Sequence, residues 1–254
     1  MSLIRSISQR ATFQNRSKHL LAALMLLPLS SHAASVIWIG GAQTKQESFD
    51  FYLERLKERG FDSIEFASIN TNPLSANHQK EITELRKRFS SIEPEKTLYV
   101  GYSIGGKFAA RLSLDAAEAG RSPYGLFLLD PVGGQPPLQQ NSTRFPDLMS
   151  VENEPVGRTV RSLIVSSELG TVPGLFGPPC VNPTYSSSFF KSIFSSSRTF
   201  SLANVGHLDF IDLATIPSIY RLSCRRGSSD SQSVRSETLK LLFEWLDQAA
   251  STPN

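Results

Sequence analysis

The chain carries, at residues 98–106, the segment Leu98-Tyr99-Val100-Gly101-Tyr102-Ser103-Ile104-Gly105-Gly106. Its apolar beginning is typical of a strand, its centre is a Gly-x-Ser-x-Gly turn, and a helical pattern follows. A Cβ atom at Gly101 or Gly105 would collide with the adjoining strand and helix, so glycine is required at both positions. A strand, a tight turn and a helix in this order form a nucleophile elbow, which presents its serine at the tip. The segment therefore predicts a catalytic role for Ser103, with a coincidental turn as the alternative.

The elements on both sides of this turn alternate between strand and helix. Besides the elbow strand, short apolar runs predict strands over residues 36–39, 61–68, 125–129, 162–166 and 199–203. Helical spacing of apolar residues predicts helices over residues 47–59, 82–89, 108–119, 189–193 and 234–249. The run 125–129 is apolar throughout, as in a parallel strand that is buried on both faces. The fold class is therefore α/β, with a mostly parallel central sheet and helices on both faces.

Two long connections interrupt this alternation. Residues 131–158 and the region near residues 168–185 are rich in proline and glycine. Connections of this length inside a compact domain are usually functional loops or lids. We therefore expect one domain over residues 34–254, with loop or lid insertions near 131–158 and 168–185.

The first 33 residues are typical of an export signal. A basic stretch as far as Lys18 precedes an apolar run from Leu20 to Leu29, and Ser31-His32-Ala33 offers small residues at a cleavage site. A bilayer span needs about 20 apolar residues, so the run is too short to cross a membrane. We predict a cleaved signal ending after Ala33, with an uncleaved anchor as the alternative. Export to a periplasm, to a thylakoid or plastid lumen, or outside the cell fits this pattern equally.

The charge balance argues against nucleic acid as a partner. The formal net charge is +3, but four basic residues and no acidic residue lie in the first 33 residues, so the rest of the chain carries −1. A domain without excess positive charge lacks the electrostatic attraction that nucleic-acid binding requires.

The chain has two cysteines, Cys180 and Cys224, both beyond the leader. In an oxidising compartment they are expected to form one disulfide, with two buried free thiols as the alternative. Two cysteines alone do not make a zinc site, so no metal is predicted.

A serine hydroxyl needs a neighbouring base to remove its proton, and elimination identifies one. Of the four histidines, His19 and His32 lie in the leader, and His78 precedes the elbow in a polar loop. His207 follows the elbow and lies just beyond the last predicted strand, where a hydrolase with this chain order has its base. His207 is therefore the candidate base, with a surface-loop histidine as the alternative.

Two carboxylates that end predicted strands are candidates to orient His207. Asp130 follows the strand after the elbow strand, and Glu168 follows the next one. Both strand ends lie at the same edge of a parallel sheet, so the topology permits either. Asp130 is favoured because Pro131 ends its strand abruptly, and Glu168 stays the alternative. Asp209 is too near His207 in sequence to be the first choice.

Acyl transfer also needs N–H donors for the developing oxyanion. The N–H of Ile104 is one candidate, and the loop at Gly41 and Ala42, after the first strand, is expected to supply the other; a simple turn is the alternative. Three side chains are candidate contacts for a hydrophobic ester, although core packing explains several such residues equally well: Tyr102, Leu175 and Phe176.

Five groups of residues share an order and spacing that extend from about residue 36 to residue 246: Gly101–Gly106, Leu129–Gly134, Gly177–Cys180 with Phe189-Phe190, Val205–Asp212 and Cys224–Gly227. Together they resemble the chlorophyllase family of α/β-hydrolases. The segment around His207 is the most specific of them, whereas the elbow alone would fit any esterase.

The resemblance implies an α/β-hydrolase fold and hydrolysis of the ester that joins phytol to chlorophyll, without a cofactor. It implies Ser103 as nucleophile, His207 as base and Asp130 as acid. Tyr102 and Ile104 stand where plant members usually have His and Arg, which indicates a divergent member. These two elbow side chains are expected to be exposed along the approach of the substrate.

Three functions therefore compete. The leading hypothesis is a serine carboxylesterase that acts on a bulky hydrophobic ester such as chlorophyll. A general exported lipase or esterase would prefer acylglycerols, and a non-catalytic carrier would bind pigment or lipid without reacting. The expected partner is a hydrophobic small molecule, with peripheral contact to a membrane as a further expectation.

Overall fold

A parallel sheet forms the centre of the computed structural model, which describes residues 34–71, 75–134, 146–175 and 177–250. In these residues the sheet has six strands: β1 (Ala34–Ile39), β2 (Phe61–Ala67), β3 (Thr97–Tyr102), β4 (Gly125–Leu129), β5 (Ser162–Ser167) and β6 (Arg198–Leu202). Their spatial order is β2-β1-β3-β4-β5-β6, and every neighbouring pair is parallel. The carboxyl ends of β3 to β6 therefore share one edge, which confirms the predicted α/β fold.

Helices cover both faces of this sheet. The described helices are α1 (Asp50–Glu58), α2 (His78–Arg88), α3 (Gly105–Glu118), α4 (Glu154–Gly157), α5 (Ser187–Ile193), α6 (Ser218–Ser223) and α7 (Ser231–Ala250). The apolar residues of α1 and α7 join a core on one face, and those of α2, α3 and α5 join a core on the other. Successive residues of a strand point to opposite faces, so Val100 and Tyr102 belong to the first core and Tyr99 to the second.

The elbow requires glycine because backbones approach one another closely there. A Cβ atom on Gly105 would lie 2.2 Å from the carbonyl oxygen of Ile39, and one on Gly101 would lie 2.5 Å from the Cα atom of Gly106. Both contacts are with backbone, which cannot move aside as a flexible side chain can. The missing side chains let the start of α3 lie directly against β1 and β3.

Some predicted boundaries differ from the structure. β3 continues to Tyr102 because Gly101 and Tyr102 stay paired with Leu128 and Leu129. The predicted helix over residues 47–59 is a 3-10 helix at Gln46–Phe49 followed by α1. β6 begins at Arg198 and ends at Leu202, one residue earlier at each end than predicted.

The two long connections contain short helices that the prediction lacks. A 3-10 helix at Val151–Asn153 leads into α4, and another lies at Pro183–Tyr185. Elements of three or four residues are too short to show a helical period. The predicted leader and residues 135–145 lie outside the described residues, so the cleaved signal and the lid stay predictions.

Within the described ranges, no helix combines the length and apolar composition that a membrane span requires.

Candidate active site

Ser103 occupies the tip of the elbow with a backbone φ of 54°. This left-handed conformation is unfavourable for a residue with a side chain, so the surroundings must hold it. The N–H of Ser103 donates to Leu129 O at 3.0 Å, and its carbonyl accepts from the N–H groups of Gly106 and Val132, both at 2.9 Å. β4, α3 and the loop after β4 therefore fix the position of Ser103 together.

The side chains of Ser103, His207 and Asp130 form a hydrogen-bonded line. His207 Nε2 lies 2.9 Å from Ser103 Oγ, and His207 Nδ1 lies 2.7 Å from Asp130 Oδ2. All three residues are buried. In a neutral imidazole one nitrogen donates and the other accepts, so an Nδ1–H bonded to the carboxylate leaves Nε2 as the acceptor for the serine hydroxyl. The structure thus brings together the three residues that were predicted from the sequence as nucleophile, base and acid.

The carboxylate of Asp130 is held from the neighbouring strand by Ser167. The N–H of Ser167 donates to Asp130 Oδ1 at 2.9 Å, and its hydroxyl donates to Oδ2. The backbone N–H of Asp130 donates to Val165 O at 2.7 Å. Both oxygens are therefore oriented before they meet His207. Ser167 is not among the residues predicted from the sequence, although a polar residue at the end of an apolar strand, at the edge that carries the site, is a usable signal.

Glu168, the alternative acid, has a different role. Its carboxylate accepts a hydrogen bond from the backbone N–H of Asn204 at 2.7 Å. This contact links the ends of β5 and β6 at the start of the segment that leads to His207. The structure brings Asp130, and not Glu168, to the imidazole.

Asp209 fastens the segment that carries His207. Its Oδ2 accepts from the N–H of Gly206 at 2.8 Å and from the N–H of Gly227 at 2.9 Å, and Arg226 Nε lies 3.5 Å from Oδ1. Asp209 is too near His207 in sequence to be a good candidate for the acid. The same nearness allows it to hold the turn that contains His207.

Gly41, Ala42 and Ile104 are the predicted oxyanion donors. A Cβ atom on Gly41 would lie only 2.8 Å from Ser103 Cβ, so this loop passes directly beside the serine. The N–H and hydroxyl of Thr44 both donate to Gly41 O, at 3.3 and 2.9 Å, and hold the turn. Among the hydrogen bonds of the described residues, none uses the N–H of Ala42 or of Ile104. The two N–H groups are therefore not engaged elsewhere among the described residues, as donors to an oxyanion must be.

Tyr102 is buried, so the expectation that it is exposed to substrate is wrong. Its ring stacks on the imidazole of His207 with centroids 5.1 Å apart and 20° between the planes, and its hydroxyl donates to His207 O at 2.9 Å. Burial raises the pKa of the Tyr102 phenol well above its ordinary value, which keeps it a neutral donor. The strand period turns Tyr102 towards the core that contains Val100. Tyr102 therefore supports the imidazole of His207 from the side of this core.

The Tyr102→Phe variant tests this supporting role. It keeps the stacked ring and removes one buried hydrogen bond, so we expect kcat on a soluble p-nitrophenyl ester to fall by about 2- to 10-fold. KM is expected to stay unchanged because the hydroxyl faces the backbone of His207 and not the substrate. A raised KM at constant kcat would instead show that Tyr102 contacts the substrate.

His78 lies outside this arrangement, in a buried contact with Lys107 of α3. Lys107 Nζ lies 3.3 Å from His78 Nδ1 and donates to Pro146 O at 2.8 Å. Burial lowers the pKa of Lys107 to about 8 and, with the charge of Lys107, lowers the pKa of His78 to about 3. His78 is therefore a neutral packing residue beside α3, and Lys107 holds the end of the loop after β4.

The remaining predicted site residues lie in the loop after β5 and beyond β6. Leu175 is 76% exposed, and Phe176 lies outside the described residues. Cys180 and Cys224 are joined in a disulfide with Cα atoms 5.4 Å apart. In the described ranges, no group of three or more His, Cys, Asp or Glu side chains is arranged to hold a metal ion.

Three solved structures that are similar in fold to this chain are hydrolases. The α/β-hydrolase MGS-MChE2, from the metagenome of sediments of the Mar Chica lagoon in Morocco, has a TM-score of 0.56 at 12% identity, over 85% of this chain and 92% of that one. The RedJ thioesterase of prodiginine biosynthesis in Streptomyces coelicolor has a TM-score of 0.52 at 11% identity, over 85% and 91%. Carboxyl esterase 2 of the fungus Tuber melanosporum has a TM-score of 0.50 at 15% identity, over 86% and 80%. These similarities establish the α/β-hydrolase fold.

The family follows from the sequence as a whole. The chlorophyllase family model matches residues 53–246, and a comparison with curated proteins finds no match. The chain belongs to the chlorophyllase family, as the sequence motifs predicted. It is a carboxylic ester hydrolase, of the serine hydrolase type that is built on this fold.

Proposed function

We propose that the chain hydrolyses the ester of a bulky hydrophobic substrate, chlorophyll or a close analogue, through Ser103, His207 and Asp130. The observation that carries this proposal is the unbroken line of hydrogen bonds from Asp130 Oδ2 through the imidazole to Ser103 Oγ. A serine is reactive only when a base takes its proton and a third group orients that base. Membership of the chlorophyllase family supports chlorophyll, with its phytyl ester, as the substrate.

The first half of the reaction forms an acyl-enzyme. Ser103 Oγ attacks the ester carbonyl carbon while its proton moves to His207 Nε2. The carbonyl oxygen becomes an oxyanion that accepts hydrogen bonds from the N–H groups of Ile104 and Ala42. His207 then gives its proton to the alkoxy oxygen as the carbon–oxygen bond breaks, and the alcohol leaves. With chlorophyll this alcohol is phytol, and the chlorophyllide acyl group stays on Ser103.

The second half uses water in place of the alcohol. His207 removes a proton from water, whose oxygen attacks the acyl carbon, and a second oxyanion forms at the same N–H groups. Collapse of this intermediate returns the proton to Ser103 Oγ and releases the carboxylic acid. Asp130 holds the imidazole in one orientation and stabilises the imidazolium throughout. Each proton that leaves the serine or the water returns to a product or to the serine, so no cofactor is needed.

Export of the chain is a further part of the proposal. The disulfide between Cys180 and Cys224 supports export, because disulfides persist in oxidising compartments. A hydrophobic small molecule stays the proposed partner.

The proposed function is tested by the products formed from chlorophyll. Purified protein is expected to release phytol and chlorophyllide, to hydrolyse a soluble p-nitrophenyl ester, and to gain the mass of one fluorophosphonate adduct at Ser103. The same protein, labelled in advance with the fluorophosphonate, is the matched control and should lose both activities. Turnover of acylglycerols without phytol release would indicate a general lipase, and tight pigment binding without an adduct would indicate a carrier.

A further inference from the structure

Two segments at the carboxyl edge of the sheet expose apolar side chains to solvent. Among the described residues five large hydrophobic side chains are exposed, and four of them lie in residues 170–175 and in α6. Leu175 is 76% exposed and Leu222 is 58% exposed, and the other two are Val172 and Tyr220. Exposed apolar residues scattered singly are ordinary, but their concentration in two segments points to a partner.

The two segments are adjacent and covalently joined. A Cβ atom on Gly174 would lie 1.9 Å from the carbonyl oxygen of Ser223, so the two backbones touch. The disulfide from Cys180 to Cys224 joins the same two segments a few residues further on. The two segments that carry the exposed side chains are therefore held next to each other.

This surface also carries basic side chains. Residues 213–229, which are flanked by Asp212 and Asp230, contain Arg221, Arg225 and Arg226 and no acidic residue, and residues 170–183 contain no charged residue. Arg226 pairs with Asp209, whereas Arg221 bonds to the backbone carbonyls of Ile216 and Ala214. In the described part of the chain, neither Arg221 nor Arg225 forms an ion pair with a carboxylate. Positive charge beside exposed apolar groups is complementary to an anionic lipid surface.

The same segments lie next to the hydrogen-bonded residues Ser103, His207 and Asp130. A Cβ atom on Gly170 would lie 2.8 Å from Asp130 Oδ2, and one on Gly206, next to His207, would lie 2.2 Å from Arg225 O. The connections that follow β5 and β6 therefore carry the surface, and they also contact Asp130 and carry His207.

We propose that this surface docks the enzyme on an anionic phospholipid bilayer. The lipid-docking surface comprises Val172, Leu175, Tyr220, Leu222, Arg221 and Arg225. The apolar side chains enter the boundary between headgroups and acyl chains, and the arginines contact the anionic headgroups. The proposal deepens the proposed function, on which it rests for the nature of the substrate, because it states from which phase the hydrophobic ester is taken.

Vesicle binding by the full chain tests this surface. The protein is sedimented with vesicles of phosphatidylcholine containing phosphatidylglycerol and with vesicles of phosphatidylcholine alone. The double variant Tyr220→Ser/Leu222→Ser is expected to lower the partition coefficient by about tenfold or more on the anionic vesicles. Arg225→Gln is expected to lower it by about fivefold on anionic vesicles and to change little on neutral ones.

Val151→Ser is the matched control, because Val151 is the fifth of these exposed apolar side chains and lies outside both segments. It is expected to bind anionic vesicles as the unmodified chain does. All proteins carry the same N-terminal residues, so any affinity of the leader is common to them. Equal binding by the double variant and the unmodified chain would overturn the proposal, as would equal binding to neutral and anionic vesicles.

Two further measurements separate the alternatives. If the double variant turns an oligomer into a monomer in sedimentation velocity without a change in vesicle binding, a second copy covers the surface and the proposal fails. Hydrolysis of a soluble p-nitrophenyl ester should be unchanged in every variant, which shows that the site is intact. If the unmodified chain lacks this activity, the proposed function is contradicted. The vesicle-binding result would still test the docking surface.

Discussion

Replacing Ser103 by alanine is expected to lower kcat for ester hydrolysis by about a million-fold, the loss seen when a nucleophilic serine is removed from comparable enzymes. The reason is local: the variant removes the oxygen that His207 Nε2 contacts at 2.9 Å and leaves the rest of the line in place. The rate is measured with a p-nitrophenyl ester, and the fluorophosphonate adduct is followed by mass spectrometry. Both signals should disappear together.

Ser162→Ala is the matched control for this experiment. Ser162 is also buried and begins β5, but its hydroxyl has no hydrogen-bond partner in the described part of the chain. Its removal deletes the same atom from the sheet without touching the site, so activity and labelling should stay within about twofold of the unmodified enzyme. If Ser103→Ala retained the rate of this control, Ser103 would not be the nucleophile.

The second large effect is expected for Asp130→Asn, which should lower kcat by about ten-thousand-fold. The amide has the shape of the carboxylate but lacks its charge, and its NH₂ group can donate to His207 Nδ1 in place of accepting. The imidazole would then carry its proton on Nε2, where it cannot take the proton of Ser103. A pre-steady-state burst with the p-nitrophenyl ester measures this first step directly.

Glu168→Gln decides between the two candidate acids. The Glu168 carboxylate contacts the backbone N–H of Asn204 at 2.7 Å, and a glutamine oxygen can accept the same bond. We expect kcat to change by less than about threefold, in keeping with one exposed hydrogen bond to the backbone. A loss in Glu168→Gln as large as in Asp130→Asn would falsify the assignment of Asp130.

The elbow was predictable because its requirements are local. Gly101, Ser103 and Gly105 are close in sequence, and the turn permits no side chain at either glycine. The structure gives the physical cause. A Cβ atom on Gly105 would lie only 2.2 Å from a backbone atom, and one on Gly101 only 2.5 Å from another. The apolar run of β4 was predictable for a similar reason, since a strand buried on both faces needs no polar position.

Tyr102 shows where the same local reading failed. Its place between Gly101 and Ser103 suggested an exposed side chain at the tip of the elbow. β3 continues to Tyr102, however, and the alternation of strand residues turns the ring into the core, under His207. Whether a residue beside a turn still belongs to the strand depends on pairing with β4, which is remote in sequence.

The sequence favoured Asp130 as the acid but left Glu168 as an alternative, for a related reason. Asp130 and Glu168 both follow strands that end at the same edge, and chain order allows either to reach a histidine. Ser167 decides between them, because its N–H and hydroxyl bind the two oxygens of Asp130, while Glu168 is engaged by Asn204. These contacts join residues from different strands, and no local pattern encodes them.

By itself the sequence determined the α/β fold class, the family, the elbow serine and the single histidine that follows it, because glycine sterics, strand periodicity and chain order are properties of neighbouring residues. Only the tertiary structure decided which carboxylate meets His207, that the Tyr102 ring stacks on the imidazole, and that residues 170–175 lie next to α6. Each of these depends on side chains that are far apart in the chain and are brought together by the sheet, so their contacts exist only after folding.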